Sequence, residues 1–288
     1  GAPAPFTRIT LLCISTLSSS SNKRNTAPLP GAVMMVLLRN RYRPFDQRVV
    51  YWSDGMIDWP RGEVMPYLLR AGNLALVARR QMLPTQPCNY FWITDRLLLD
   101  GLIRSDNRGS ESVFPLYLEA AAAGGGAGYR ANFDEKHIAQ VAGQLRLGWR
   151  PDGAAGEGAF GPLQLLYYSY ALFFSPTYRR RYAEQLRSGF PRVLLPRRPE
   201  LFLELARWGE RLAERHLLRE ATFPASGSDR VPRGHGSHRS EMAASWSVHG
   251  VPLVDRGFPK YQSERISIAR DVWLEPVSAE VWNFHVGG

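Results

Sequence analysis

PLQLLYYSYALFFSPTYRRRYAEQLRSGFPRVLLPRRPELFLELARWGERLAERHLL, residues 162–218, is the stretch whose reading decides the fold class. Pro162 stands at a helix start, where its missing N–H costs nothing. Leu163–Phe174 is apolar nearly all round, which marks a buried helix. Ser175-Pro176-Thr177 interrupts the run and opens a second helix, predicted over Thr177–Leu186. Pro199–Leu218 returns to helical spacing, with Leu201, Leu205, Trp208, Leu212 and Leu217 predicted on the inner side. Tyr167, Tyr168, Tyr170, Phe173 and Phe174 read as core. Upstream, Asp134–Leu147 carries Ile138, Val141, Ala142 and Leu145 on one stripe. Asp134 and Glu135 open that segment, where acids complement a helix N-terminus.

Outside this helical block the period shortens. Ala32–Leu38 is a continuous apolar run and reads as a buried strand. Arg39–Trp52 (RNRYRPFDQR, then VVYW) reads as a strand rich in β-branched and aromatic residues. Arg61–Leu69 has helical spacing through Val64, Leu68 and Leu69. Asn73–Arg79, Tyr90–Thr94 and Ser112–Leu118 read as strands, and Pro115 assigns the last to a sheet edge. Ala120–Gly128 (AAAAGGGAG) is a low-complexity hinge, residues 221–245 are loop-like, and Gly250–Phe284 alternates as short strands. Strands, then helices, then strands again predict an α+β fold. The expected organisation is a strand-rich part at 1–120, an inserted helical subdomain at 130–220, and a strand-rich part at 221–288 packing back on the first.

The 288 residues carry a net charge of +10, which favours a polyanionic partner. Only three of the 36 basic residues are lysine (Lys23, Lys136, Lys260), a bias that accounts for arginine over lysine but not for the excess over acid. Arginine suits nucleic acid, because its planar fork binds phosphate and guanine edges bidentately. Cys13 and Cys88 are the only cysteines, too few for a disulfide framework or a zinc knuckle, and a reducing cytoplasmic setting is expected. Leu163–Phe174 is far short of the ~20 residues of a membrane span. Ile9–Leu17 resembles a short signal core but has a weak basic flank and no clear cleavage site, so it is not read as a signal peptide.

Catalytic signatures are missing. No GxxxxGK[ST] loop, GxSxG elbow or HExxH helix occurs, and GGGAG at 124–128 lacks the lysine and the strand-to-helix setting of a phosphate loop. Asp134-Glu135-Lys136 is not the ExK of a metal-dependent nuclease. No NPPY-type tetrapeptide is present to grip a flipped adenine. His235 and His238 in GHGSH have no cysteine beside them and read as a solvated loop. The sequence therefore predicts neither catalytic residues, metal site nor cofactor, and points to a binding role.

The basic clusters supply the candidate interface. Arg43 and Arg48 flank Phe45 in RNRYRPFDQR, where Asp46 is placed to pair with them. Arg79, Arg80 and Gln81 follow a predicted strand. Arg104, Asn107, Arg108 and Ser110 lie in RSDNRGS. Arg179, Arg180 and Arg181 follow Ser175-Pro176-Thr177, a helix start able to hold a phosphate. Arg, Asn and Gln make bidentate contacts to base edges, and Ser contacts base or phosphate.

YRPFDQRVVYW (42–52), WPRGEVMPYLL (59–69) and NLALVARRQ (73–81) resemble, in that order, a YRPFD-x-R motif, an RPR-x-E-V-M segment and a strand ending in Ser-Arg-Gln from the C-terminal region of type ISP restriction-modification enzymes, with Ala78 in the serine place. FWITDRLLLD (91–100) and VFPLYLE (113–119) continue the resemblance. YYSYALFFSPTYRRRYAEQLRSGFPRVLLP, within 167–218, is the most specific match, although Phe173-Phe174 replaces a Leu-His pair. VWLEPVSAEVWNFHVGG resembles the closing strand segment. The resemblance covers about residues 30–288. It implies a target-recognition domain that reads double-stranded DNA for an adenine methyltransferase, with the methyltransferase and translocase domains of a parent enzyme as partners, and no chemistry or membrane association of its own. The alternatives from the residues are a scaffold or remnant without DNA binding, and a metal-dependent nuclease with an unrecognised site.

Overall fold

The computed structural model describes residues 8–9, 36–52, 61–80, 88–103, 111–121, 127–152, 156, 158–219, 238–239, 247–249, 257, 259–270, 272–284 and 286. The chain divides into two compact units, residues 1–217 with 286–288 and residues 218–285.

The first unit is built on a three-stranded antiparallel sheet in the order Phe91–Thr94, Ala75–Ala78, Ser112–Pro115. Every residue of the first two strands is buried, so both faces are covered and the sequence reads as continuous apolar runs rather than alternation. Pro115 lies in an outer strand, as its missing N–H requires. Five described helices follow: α1 (Glu135–Leu145), α2 (Pro162–Phe174), α3 (Pro176–Arg181), α4 (Ala183–Ser188) and α5 (Pro199–Leu217). Asp134 caps α1, its carboxylate accepting from the His137 N–H at 3.1 Å, and Ile138, Val141 and Leu145 face inward as the stripe predicts. α2 lies on the sheet, Phe173 stacking on Phe91 at 4.8 Å between ring centres. α5 lies on α2, with Gly209 so close that a Cβ there would fall 1.8 Å from the Tyr167 carbonyl oxygen. Sheet and helices share one core, running from Leu74–Ala78 and Tyr90–Ile93 through Leu165–Tyr170 to Phe202 and Leu217.

A separate hairpin pairs Val36–Arg41 with Gln47–Trp52, and Asn40 and Arg41 also pair in parallel with Leu97–Leu98. Another joins Tyr117–Ala121 to Ala127–Ala131. The second unit holds an antiparallel sheet in the order His238–Arg239, Ser247–His249, Trp273–Glu275, Arg265–Ser267, Lys260–Gln262, followed by the short helix Ala279–Trp282. The mixture of helices and small sheets is α+β.

Five expectations need correction. Arg39–Trp52 is not one strand: the chain turns at 42–46, where the Tyr42 N–H donates to the Asp46 carbonyl at 2.9 Å and Pro44 cannot continue a ladder. Arg61–Leu69 forms only a 3₁₀ turn at Met65–Leu68, with Pro66 in its first turn. The expected Thr177–Leu186 helix is two helices, broken at Tyr182. On α5 the inner face is Phe202, Ala206, Gly209, Ala213, His216 and Leu217, and Trp208 is 56 % exposed. Small residues there let α2 approach, and the larger leucines flank the contact. Pro115 also ends its strand, so Ser112–Leu118 is divided between Ser112–Pro115 and the strand beginning at Tyr117. Ala32–Leu38 is described only from Val36, whose strand runs on to Arg41. Gln81, Arg104, Asn107, Arg108, Ser110, His235 and the Ile9–Leu17 segment beyond Ile9 lie outside the described residues.

Candidate nucleic-acid interface

The hairpin at 41–48 is fixed by a buried cation at its root. Arg41 is fully buried, and its Nη2 donates to the Leu217 carbonyl, the last of α5, at 2.9 Å. A second N–H reaches Pro44 O at 3.4 Å, and Asp95 lies 3.6 Å away. A cation at a helix C-terminus meets unsatisfied carbonyls and the negative end of the dipole. Arg41 thereby ties the turn to the end of α5.

At the tip, the Tyr42 ring is flanked by two guanidinium groups, Arg48 at 3.6 Å and Arg43 at 4.4 Å. Arg48 also donates to Asp46 at 2.9 and 3.1 Å, the pairing that the sequence anticipates, and this hydrogen bond raises its pKa. Stacking restrains both side chains; Arg48 stays exposed, while Arg43 is half-buried with its Nη1 donating to the Tyr42 carbonyl at 2.7 Å. Phe45 remains 52 % exposed but has its edge on Trp92, 5.1 Å away.

Phe45 leads into a buried aromatic cluster. His216 stacks on Trp92 at 4.7 Å, packs on Phe174 at 5.0 Å, and is hydrogen-bonded through Nδ1 to the Tyr170 hydroxyl at 2.7 Å. Burial, and then the charge of Arg179, push its pKa down from 6.5 to about 4, so it is neutral at pH 7. Arg179 lies over the Phe174 ring at 4.6 Å and donates through Nε to Phe173 O near the end of α2. Burial lowers its pKa to about 10, opposed by Tyr170, and it stays charged. Through these contacts one cluster brings the hairpin turn and the α2–α3 corner together.

The candidate residues divide by exposure. Arg180 and Arg181 are exposed, while Arg179 is engaged as just described. All three lie in the last turn of α3, and Ser175 Oγ already accepts from the Tyr178 N–H, so the start of this six-residue helix does not offer a phosphate cradle. Arg80 is exposed. Arg79 is not: its side chain is 7 % exposed and its Nη1 stands 3.7 Å from a Glu111 carboxylate that is itself 1 % exposed. Glu111 also accepts from the Gly101 N–H at 3.1 Å. Arg79 and Glu111 thus join the ends of neighbouring strands, since Ala78 pairs with Ser112. Their burial reassigns Arg79 from DNA contact to structural support of that end of the sheet.

Sequence reasoning passed over Arg41, His216 and the exposed pair Arg70–Tyr129, with the guanidinium 3.5 Å from the ring centre. Arg41 stands in the basic run RNRYR beside residues that are exposed, and nothing local marks it as buried. No group of His, Cys, Asp and Glu suited to a metal occurs among the described residues, and no described helix is long and apolar enough to cross a membrane.

A family model described as the Type ISP C-terminal specificity domain matches residues 32–288. Among solved structures the chain is similar to the ATP-dependent Type ISP restriction-modification enzyme LlaBIII bound to DNA, at TM-score 0.58 and 18 % identity, over 91 % of this chain and 15 % of that one. It is also similar to DrdV in a DNA complex (TM-score 0.55, 18 % identity, 87 % and 22 % covered) and to a nuclease-deletion mutant of the Type ISP enzyme LlaGI with a DNA substrate mimic (0.51, 16 %, 88 % and 19 %). These likenesses are of fold, and the chain spans less than a quarter of each protein. No curated protein matches it.

Proposed function

We propose, on the premise that this chain belongs to the Type ISP C-terminal specificity domain family, that it reads a short sequence in double-stranded DNA and carries no catalytic step itself. The family match over 32–288 carries this reading. The similar solved enzymes are described with bound DNA, which supports the same partner. Methyltransferase and translocase domains of a parent enzyme, in the cytoplasm, would act on the site it selects.

Division of labour follows from exposure. Arg43, Arg48, Arg80, Arg180 and Arg181 contact DNA. These guanidinium groups, exposed except for the half-buried Arg43, serve phosphate, giving affinity and register without sequence information. Gln81, Arg104, Asn107, Arg108 and Ser110 lie outside the described residues, and their residue types make them candidates for base contact. Arg179 and Arg79 support the scaffold.

The test is selection from a randomised duplex library by the purified chain at two salt concentrations, with sequencing of the bound fraction. An enriched asymmetric motif whose retention weakens with salt is the expected result. Binding without a motif removes the specificity role, and metal-dependent cleavage of the library removes the non-catalytic one.

A further inference from the structure

We propose that the two-stranded ribbon of the second unit, Lys260–Gln262 paired with Arg265–Ser267, is a base-reading element for the DNA major groove, with Lys260, Gln262 and Arg265 setting specificity. This rests on the DNA-reading function above and adds a site to it.

The register opposes Lys260 to Ser267, Tyr261 to Ile266, and Gln262 to Arg265. Opposed residues of an antiparallel pair share a face and successive residues alternate. One face therefore carries Lys260, Gln262, Arg265 and Ser267, and the other Tyr261 and Ile266. The second face is packed: the Tyr261 ring stacks on Trp282 at 5.4 Å and 11°, and its hydroxyl donates to Val277 O at 2.9 Å. On the first face Lys260, Gln262 and Arg265 are exposed.

The ribbon is held in shape. Its two-residue tip, Ser263–Glu264, has both residues in the left-handed region at φ 51° and 59°, the geometry of a type I′ turn, which glycine and asparagine ordinarily supply. The Val277 N–H donates to Glu264 O at 2.6 Å and pins that tip. Arg265 donates through Nε to Glu275 at 2.8 Å and lies 4.8 Å over the Trp273 ring, a contact that orients the guanidinium without using its two Nη groups. Lys260–Gln262 is the outer strand of the described sheet.

Residue chemistry selects base edges over phosphate. Two cations, Lys260 and Arg265, stand against two acids, Glu264 and Glu275, so the ribbon offers no net attraction to the backbone. Arg and Lys pair with guanine O6 and N7, Gln with adenine N6 and N7, and the major groove, about 12 Å wide, admits a two-stranded ribbon. A lysine guarding an edge strand against aggregation would explain Lys260 alone. It leaves Gln262 and the oriented Arg265 without a purpose.

Library selection with the wild-type chain, Lys260→Ala, Gln262→Ala and Arg265→Ala, with a thermal melt of each, tests this. Wild type should enrich a motif. Each variant should lose preference at one position by roughly tenfold, keeping the other positions, the salt dependence and the melting temperature. If wild type enriches a motif that all folded variants share unchanged, or if they weaken every sequence equally, the ribbon is not a reader and the wider function stands. If wild type enriches no motif, both readings fall. Should Arg265→Ala unfold by losing its Glu275 and Trp273 contacts, Gln262→Ala and Lys260→Ala decide the matter.

Discussion

Two arginines one residue apart in sequence show how placement divides otherwise equal side chains. Arg79 faces Glu111 in the interior, and Arg80 is exposed. Arg79→Ala would remove the cationic partner of the buried Glu111 carboxylate, and losing one partner of a buried pair costs about 3–5 kcal/mol. Denaturant unfolding should show that loss, whereas Arg80→Ala or Arg180→Ala should change stability by less than about 0.5 kcal/mol; equal stability of Arg79→Ala would mean that Glu111 finds water. His216 makes a pH-dependent contribution. Its folded pKa of about 4 lies below the ordinary 6.5, so the unfolded chain binds the proton more readily. Stability from the neutral ring is complete above pH 6.5 and declines as pH falls toward 4. At pH 5 this group should cost about 2 kcal/mol relative to pH 7. His216→Phe should flatten that part of the pH profile, and an unchanged slope would show that the buried ring is not the titrating group. Neither residue is distinguished in the sequence. Arg79 sits in ARRQ and His216 in ERHLL, and only the tertiary fold decides which basic residue is covered.

At the scale of elements, glycine marks the closest helix contact. Ala206, Gly209 and Ala213 form the middle of the inner face of α5, between Phe202 and His216, and Gly209 meets the Tyr167 carbonyl. Gly209→Ala would raise helix propensity by about 1 kcal/mol. A methyl group cannot fit 1.8 Å from a backbone oxygen, so the helices must separate. The expected net loss is at least ~2 kcal/mol, within the range for overpacking. Gly143 on the exposed side of α1 has open space around it, and Gly143→Ala should instead stabilise by about 0.5–1 kcal/mol. Thermal unfolding of the two variants should move in opposite directions; a shared direction would place α5 farther from α2. This contact explains why the sequence revealed α5 but rotated it. Periodicity weighs large apolar residues, and here the closest contact is lined by small ones while Trp208 faces out. The bounds of α2 and the stripe of α1 were legible because all-round apolarity and a capping aspartate are local signals. The 42–46 turn was not, because its hydrogen bonds join residues that a strand pattern also accommodates.

Across the whole molecule, the α+β class was legible from the change of period, and the basic character from the net charge of +10. The composition of the interface was less so. Charge runs mark where arginines are dense, while burial withdraws Arg41 and Arg79 from the surface, half-buries Arg179 against Phe174, and leaves Arg80, Arg180 and Arg181 exposed. The ribbon at 260–267 was read only as short strands, since its sidedness depends on register. Salt dependence tests this partition as a whole. Each phosphate neutralised contributes about −0.9 to the slope of log K against log salt, so an interface with six or more such contacts loses about a thousandfold in affinity between 50 and 200 mM salt. Arg180→Ala with Arg181→Ala should make the slope shallower by up to about two. Gln262→Ala should leave it unchanged, because an amide releases no counterion. A folded Arg79→Ala protein should keep the wild-type slope too, as its guanidinium reaches Glu111 rather than DNA. If the Arg180 and Arg181 double variant kept the full slope while Arg79→Ala reduced it, the phosphate-binding surface would lie at the end of the central sheet and not at α3.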